Sequence, residues 1–150
     1  MTRGMALSVA AGTVVLVSAG AYALAYAGEQ PPALTHATAR YSAPDGGRDG
    51  SLTFATFVTA PSGVKGVKVL AWPQNSSLAG AEPTAEDMAA AEPALCKPYK
   101  RHTVSCTYTV RATSREVAAS PHGVWHVAVL ATARNGTTTL KTQAAHYTVK

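Results

Sequence analysis

The residues able to do chemistry are few, and they fall into three groups. Cys96 and Cys106 are the only cysteines. An even count in an exported chain argues for a disulfide between them. Closing so short a loop is worth about 2.5–3 kcal/mol through the entropy it removes from the unfolded chain. A metal would need two further ligands at suitable spacing, and His102 is the one histidine nearby. His126 and His146 form a second pair. Two imidazoles alone fall short of the three or four ligands that hold a metal firmly. The third group is a dense basic run, Lys97, Lys100, Arg101 and His102, with Tyr99 among them. It lies inside the ring the disulfide would close. One reading is a constrained recognition loop for an anionic polymer or an acidic protein surface. The other is a solvated loop complementing the acids just before it, Glu82, Glu86, Asp87 and Glu92.

Serine, histidine and aspartate all occur without forming a catalytic pattern. Asp45, Asp49 and Asp87 stand at turn or helix-start positions, where aspartate serves the backbone. The sequence has no G-x-S-x-G elbow, no H-E-x-x-H and no glycine loop opening a helix. No residue is therefore assigned as catalytic, no metal ligand is assigned, and no cofactor is implied. Asn75-Ser-Ser77 and Asn135-Gly-Thr137 match the glycosylation sequon, but both read first as turns.

Strands must position these groups. Gly123 to Asn135 alternates Trp125, Val127, Val129, Ala131 and Ala133 with His126, Ala128, Leu130, Thr132 and Arg134, and Asn135-Gly136 closes it. Such period-two alternation marks a strand with one face in a core. Leu140 to Val149 returns beside it. Placing Trp125, Val127 and Val129 on the face of Ala145, Tyr147 and Val149 requires paired numbers to sum to an even value. That favours a three-residue loop, Arg134-Asn135-Gly136, with Gly136 left-handed. Trp125 is expected in the central core, across from Val104, Cys106 and Tyr108.

The other strands follow the same logic. His36–Ser42 is an edge strand, and Ser51–Ala60 sets Leu52, Phe54, Thr56, Val58 and Ala60 against Thr53, Ala55, Phe57 and Thr59. Val64–Trp72 runs back, and His102–Val110 alternates most regularly. Between the last two, Thr84 and Asp87 resemble a capping box, and Ala85–Ala91 predicts one short helix inserted among strands. Leu70, Trp72, Ala128, Leu130 and Ala144 make the outward face of the Val64–Trp72 and Gly123–Arg134 strands unusually apolar. Either the segment Thr84–Ala94 folds over this face or it stays open as a partner-binding surface anchored by Trp72.

Residues 1–27 read as an export signal, almost wholly apolar from Met5 and ending in Ala25-Tyr26-Ala27. If that segment is not cleaved, it becomes a signal anchor, its apolar run being nearly long enough to span a bilayer though weakly hydrophobic for a permanent span. Residues 28–35 are a flexible N-terminal segment, and 36–150 form one domain. The whole chain carries 13 basic and 8 acidic residues, a net charge of +5. Loss of Arg3 with the signal leaves +4, a mild excess that does not call for nucleic acid.

Short strands separated by turns indicate an all-β, immunoglobulin-like antiparallel β-sandwich with one short inserted helix. Gly123-x-Trp-x-Val-x-Val-x-Ala-x-Ala, the Asn-Gly turn and the closing Ala-x-Tyr-x-Val resemble the last two strands of bacterial immunoglobulin-like modules. With Gly50-Ser-Leu-Thr-Phe, Pro61-Ser-Gly-Val-Lys-Gly-Val-Lys-Val-Leu-Ala-Trp-Pro73, Cys96 and Ser105-Cys-Thr-Tyr108, the stretch Tyr41–Val149 resembles a family of small secreted actinobacterial proteins known only as a domain of unknown function. That resemblance implies a secreted or cell-wall-associated protein and brings no functional residues. The expected function is a non-catalytic binding module for an extracellular protein or cell-wall polymer. The partner-binding candidates are Trp72, Leu70, Leu130, Lys97, Tyr99, Lys100 and Arg101. A small secreted hydrolase without a recognisable motif, or an inhibitor of a secreted enzyme braced by the disulfide, is the alternative.

Overall fold

The computed structural model describes residues 30–74 and 82–150. The expected export signal and the Asn75 sequon lie outside them. Among the described residues eight strands follow in order: β1 (Ala33–Ser42), β2 (Gly50–Thr59), β3 (Val64–Pro73), β4 (Glu92–Pro93), β5 (Leu95–Lys100), β6 (Thr103–Ala112), β7 (Gly123–Ala133) and β8 (Thr138–Val149). They form two antiparallel sheets, β1-β2-β6-β5 and β4-β3-β7-β8. The alternation in β2 appears directly in its burial: Leu52, Phe54, Thr56, Val58 and Ala60 are buried and their neighbours are not. Phe54, Val58 and Cys106 from one sheet meet Val67, Val69, Val127, Val129 and Ala131 from the other. The result is an all-β sandwich.

The closing hairpin has the expected parity. Thr132 pairs with Thr138 and Leu130 with Leu140. The turn is the three-residue loop 134–136, with Gly136 at φ 93° and the Ala133 N–H donating to the Thr137 carbonyl at 2.9 Å. Asn135 Oδ1 accepts from the Thr137 N–H and hydroxyl, so this sequon is a turn whose threonine is buried.

Four expectations need correction. First, β1 begins at Ala33, not His36: Leu34 enters the core, and the Pro32 carbonyl accepts from the buried Thr139 hydroxyl at 2.6 Å. Second, there are two short helices among the described residues, α1 (Ala85–Ala89) and α2 (Ser114–Ala119). Each starts at a reciprocal capping box, Thr84 with Asp87 and Thr113 with Glu116. Third, Cys96 is on strand β5, directly opposite Cys106. The disulfide therefore ties an edge strand to its neighbour instead of tying a loop to the sheet.

Fourth, Trp125 is not central. Two residues into β7, it is half-buried, its indole N–H donates to the Pro121 carbonyl, and its ring stacks on Tyr147 across the hairpin. Tyr147 in turn stacks on Tyr41 at 5.4 Å. This end of the sandwich holds a cavity of about 250 Å³ beside α2, lined by Tyr41, Leu52, Val110, Val117 and Tyr147 among others. The Tyr41 hydroxyl is buried there without a hydrogen-bond partner. A buried unpaired hydroxyl costs about 1–3 kcal/mol. Tyr41→Phe is therefore expected to raise stability by about 1 kcal/mol in urea denaturation. A loss of stability would mean that the hydroxyl is bonded in solution.

Candidate binding site

The apolar outer face of the β4-β3-β7-β8 sheet is closed. α1 lays Met88, fully buried, on Trp72, Ala128 and Leu140, with Leu70 and Leu130 packed around them. Trp72 is 8% exposed and its indole N–H donates to the Thr142 carbonyl at 2.8 Å. On the way in, Glu82 accepts hydrogen bonds from the Thr142 hydroxyl and the Gln143 amide. On the way out, Lys68 Nζ donates to the Ala91 carbonyl and β4 pairs with β3. Trp72, Leu70 and Leu130 thus hold the insertion to the sheet, with Trp72 buried and Leu70 and Leu130 half-buried. Ala144, expected on this outer face, packs against the sandwich core instead. Residues 142–144 bulge from β8 opposite Ala128 alone, which re-aims them.

His126 and His146 are direct neighbours across the β7–β8 pair. His126 lies 5.0 Å from the Trp72 ring and shares a hydrogen bond with Gln74 Oε1. Among the described residues no three His, Cys, Asp or Glu side chains come together as a metal site.

The basic run stands at the opposite edge of the molecule's other sheet. Lys97, Tyr99 and Lys100 are exposed on β5, and Arg101 and His102 form the turn into β6. The acids of α1 do not neutralise them. Among the described residues the one ion pair is Arg111 with Asp49, at 3.7 Å. Tyr99 is 58% exposed, yet its ring lies 4.6 Å from that of Phe57. Lys100 Nζ stands 5.8 Å over the same tyrosine.

The sequence singled out Tyr99 and Lys100 but not Phe57 or His36, which lie beside them. Phe57 is on the outward face of β2, where alternation placed it; the edge strand β1 beside it and the edge strand β5, one strand further on past β6, are both bulged. In β1 the register slips between Thr35 and Thr38, and His36, at φ 53°, is turned edge-on to Phe57 at 5.9 Å. In β5 it slips between Pro98 and Lys100, which frees Tyr99 to reach Phe57 from the other side. Bulges at sheet edges re-aim side chains in this way. Beneath them the Thr59 and Thr103 hydroxyls share a hydrogen bond of 2.8 Å. A cavity of about 300 Å³ results, lined by Thr35, His36, Phe57, Thr59, Tyr99, Lys100 and Thr103.

The shifted ionisable groups do not point to acid–base chemistry. Hydrogen bonds from the backbone and hydroxyl of Thr84 and Thr113 hold Asp87 and Glu116 below the usual carboxylate range. Burial, with the Glu92 carboxylate accepting its proton at 2.6 Å, pushes Tyr108 up to about 12. Burial likewise pushes Tyr147 up to about 12, with Tyr41 and Tyr108 nearby. These shifts all lead away from neutrality, where a general acid or base works best.

A family model described as a family of unknown function (DUF5707) matches residues 34–131. The chain belongs to that family. The DUF5707 region begins where Leu34 enters the core and ends inside β7, so it takes in the insertion, both bulged edge strands and the whole β5–β6 hairpin. No curated protein matches the chain, and no solved structure does.

Proposed function

We propose that this DUF5707 chain is an exported, non-catalytic binding module of immunoglobulin-like design. On this reading it meets an extracellular protein or cell-wall polymer through Lys97, Tyr99, Lys100 and Arg101. The observation that carries the reading is the exposure of these cations beside a solvent-facing tyrosine, with no carboxylate within ion-pair distance among the described residues. Large exposed aromatics next to uncompensated cations are what binding surfaces present. The strand orders β1-β2-β6-β5 and β4-β3-β7-β8 correspond to the A-B-E-D and C-F-G sheets of immunoglobulin domains, with one added edge strand. Export is supported by residues 1–27, by the disulfide, and by the resemblance to secreted actinobacterial proteins. Among the described residues no helix is long and apolar enough to cross a membrane.

The immobilised chain should retain a partner from culture supernatant or from cell-wall fractions. The triple variant Lys97→Glu, Lys100→Glu, Arg101→Glu should not retain it, while melting like the parent. Equal retention by the two proteins would remove the hairpin from the function.

A further inference from the structure

We infer that the cavity around Phe57 is a subsite for an acidic polysaccharide, with one sugar ring lying on Tyr99, which Phe57 backs, and a carboxylate or phosphate of the glycan meeting Lys100. This rests on the reading of the β5–β6 hairpin as the binding end, and it names the ligand class.

Three features of the cavity suit a sugar better than an acidic peptide. Its walls are aromatic. The C–H bonds on one face of a pyranose carry slight positive charge and lie favourably on the negative face of a ring. Phe57 and Tyr99 pack on each other at 4.6 Å, tilted 38°, and His36 stands at 84° to Phe57, so the aromatic surface left for a ligand is chiefly that of Tyr99, 58% exposed and backed by Phe57. Its floor is made of hydroxyls. The Thr59–Thr103 hydrogen bond uses one of two O–H groups and leaves the second without an acceptor among the described residues, and Thr35 also lines the cavity. A ligand that both donates and accepts through many hydroxyls matches that floor. The cation is at the mouth. Lys100 lines the cavity, whereas Lys97 and Arg101 do not, so the charge is placed to meet a substituent of a ring already seated. At about 300 Å³ the cavity falls at the lower end of small-ligand sites, appropriate to one subsite on a longer chain.

The backbone adds an independent sign. The only non-glycine residues with positive φ among the described residues are His36 and His102. One lines this cavity, and the other sits in the turn immediately before Thr103 at its floor. Such conformations cost energy and collect at ligand sites. An acidic peptide could use Lys97, Lys100 and Arg101 on the outer edge without any of this.

The test is titration of the disulfide-bonded full chain with four probes, read by calorimetry and by the ring resonances of Phe57 and Tyr99. Two probes are anionic glycans, oligogalacturonate and a sugar-phosphate polymer. The third is fully methyl-esterified oligogalacturonate, which keeps the rings and loses the charge. The fourth is polyglutamate, which keeps the charge and has no rings. At least one anionic glycan is expected to bind and to move both ring signals, with the ester and polyglutamate about tenfold weaker or worse. Tyr99→Ala should weaken that binding about tenfold, Tyr99→Phe should preserve it, and Lys100→Gln should reduce it to the level of the ester. Tyr99 and Lys100 are both exposed, so these variants keep the fold. Polyglutamate binding as tightly as the glycans would overturn the inference while leaving the hairpin as a reader of acidic proteins. Binding of neither glycan, with hairpin-dependent retention of a natural partner intact, would overturn the inference alone. Retention indifferent to the triple charge reversal would overturn the functional reading and the inference together.

Discussion

Met88→Ala is expected to cost about 3 kcal/mol and to bring Trp72 into contact with water. Truncating a buried methionine costs about 2–5 kcal/mol, the more so where the site cannot collapse. Here it cannot collapse easily, because Met88 reaches from a five-residue helix onto a flat sheet face of Trp72, Ala128 and Leu140. A helix that short has no stability of its own. Its capping box satisfies its first N–H groups, but the side chain of Met88 is what buries it. The expected outcome is a local opening: a red shift in tryptophan emission and loss of amide protection over α1, with the sandwich core still protected. Met88→Leu, similar in volume, should cost less than about 1.5 kcal/mol. Unchanged emission in the alanine variant would mean that Glu82 and β4 alone hold the insertion down.

Removing the disulfide should cost a comparable amount and act elsewhere. Cys96→Ala with Cys106→Ala is expected to lose about 2.5–3 kcal/mol, from the separation of 10 residues that the bridge closes. The melting point should fall by roughly 10 °C. Alanine is the better probe than serine, because position 106 is fully buried and a serine hydroxyl there would have to find a partner. The damage should concentrate in β5, where Pro98 has no N–H to give and the register slips at Tyr99, so the ladder to β6 is poor. Tyr99 should then lose its place against Phe57. Glycan binding would fall together with stability, although neither cysteine lines the cavity. Two reactive thiols in the purified, unreduced protein would refute the bridge itself.

What the sequence made legible was whatever obeys a fixed period. The faces of β2, the parity of the closing hairpin and the apolar outer face around Trp72 all follow from counting residues by twos, whereas the covering of this face by the insertion does not. The candidate site lies where that count breaks. His36 and Tyr99 reach Phe57 through bulges, and a bulge leaves no mark in composition. One hint was present: Phe57 stands on a face otherwise made of Ser51, Thr53, Ala55 and Thr59, where a phenylalanine needs a reason. α2 was missed differently. Thr113-Ser114-Arg115-Glu116 is a full capping box, but the helix it opens buries none of its residues, so no apolar repeat signals it. The size of Trp125 points to the centre of the core, but a strand's first residues lie at the rim of the sandwich, whatever their bulk.

The ends of the two sheets also bear on how the molecule behaves in a crowd. An open sandwich exposes four strand edges, each able to template a further strand from another chain. Here Pro31 and Pro32 run straight into β1, β4 contains Pro93, and β5 contains Pro98 between lysines. The fourth edge, β8, is broken by its bulge at 142–144. Each lacks the long regular run of N–H and C=O groups that amyloid growth or strand exchange requires. On the proposed exported role, at high dilution and beyond the reach of chaperones, that resistance would have to be part of the chain itself.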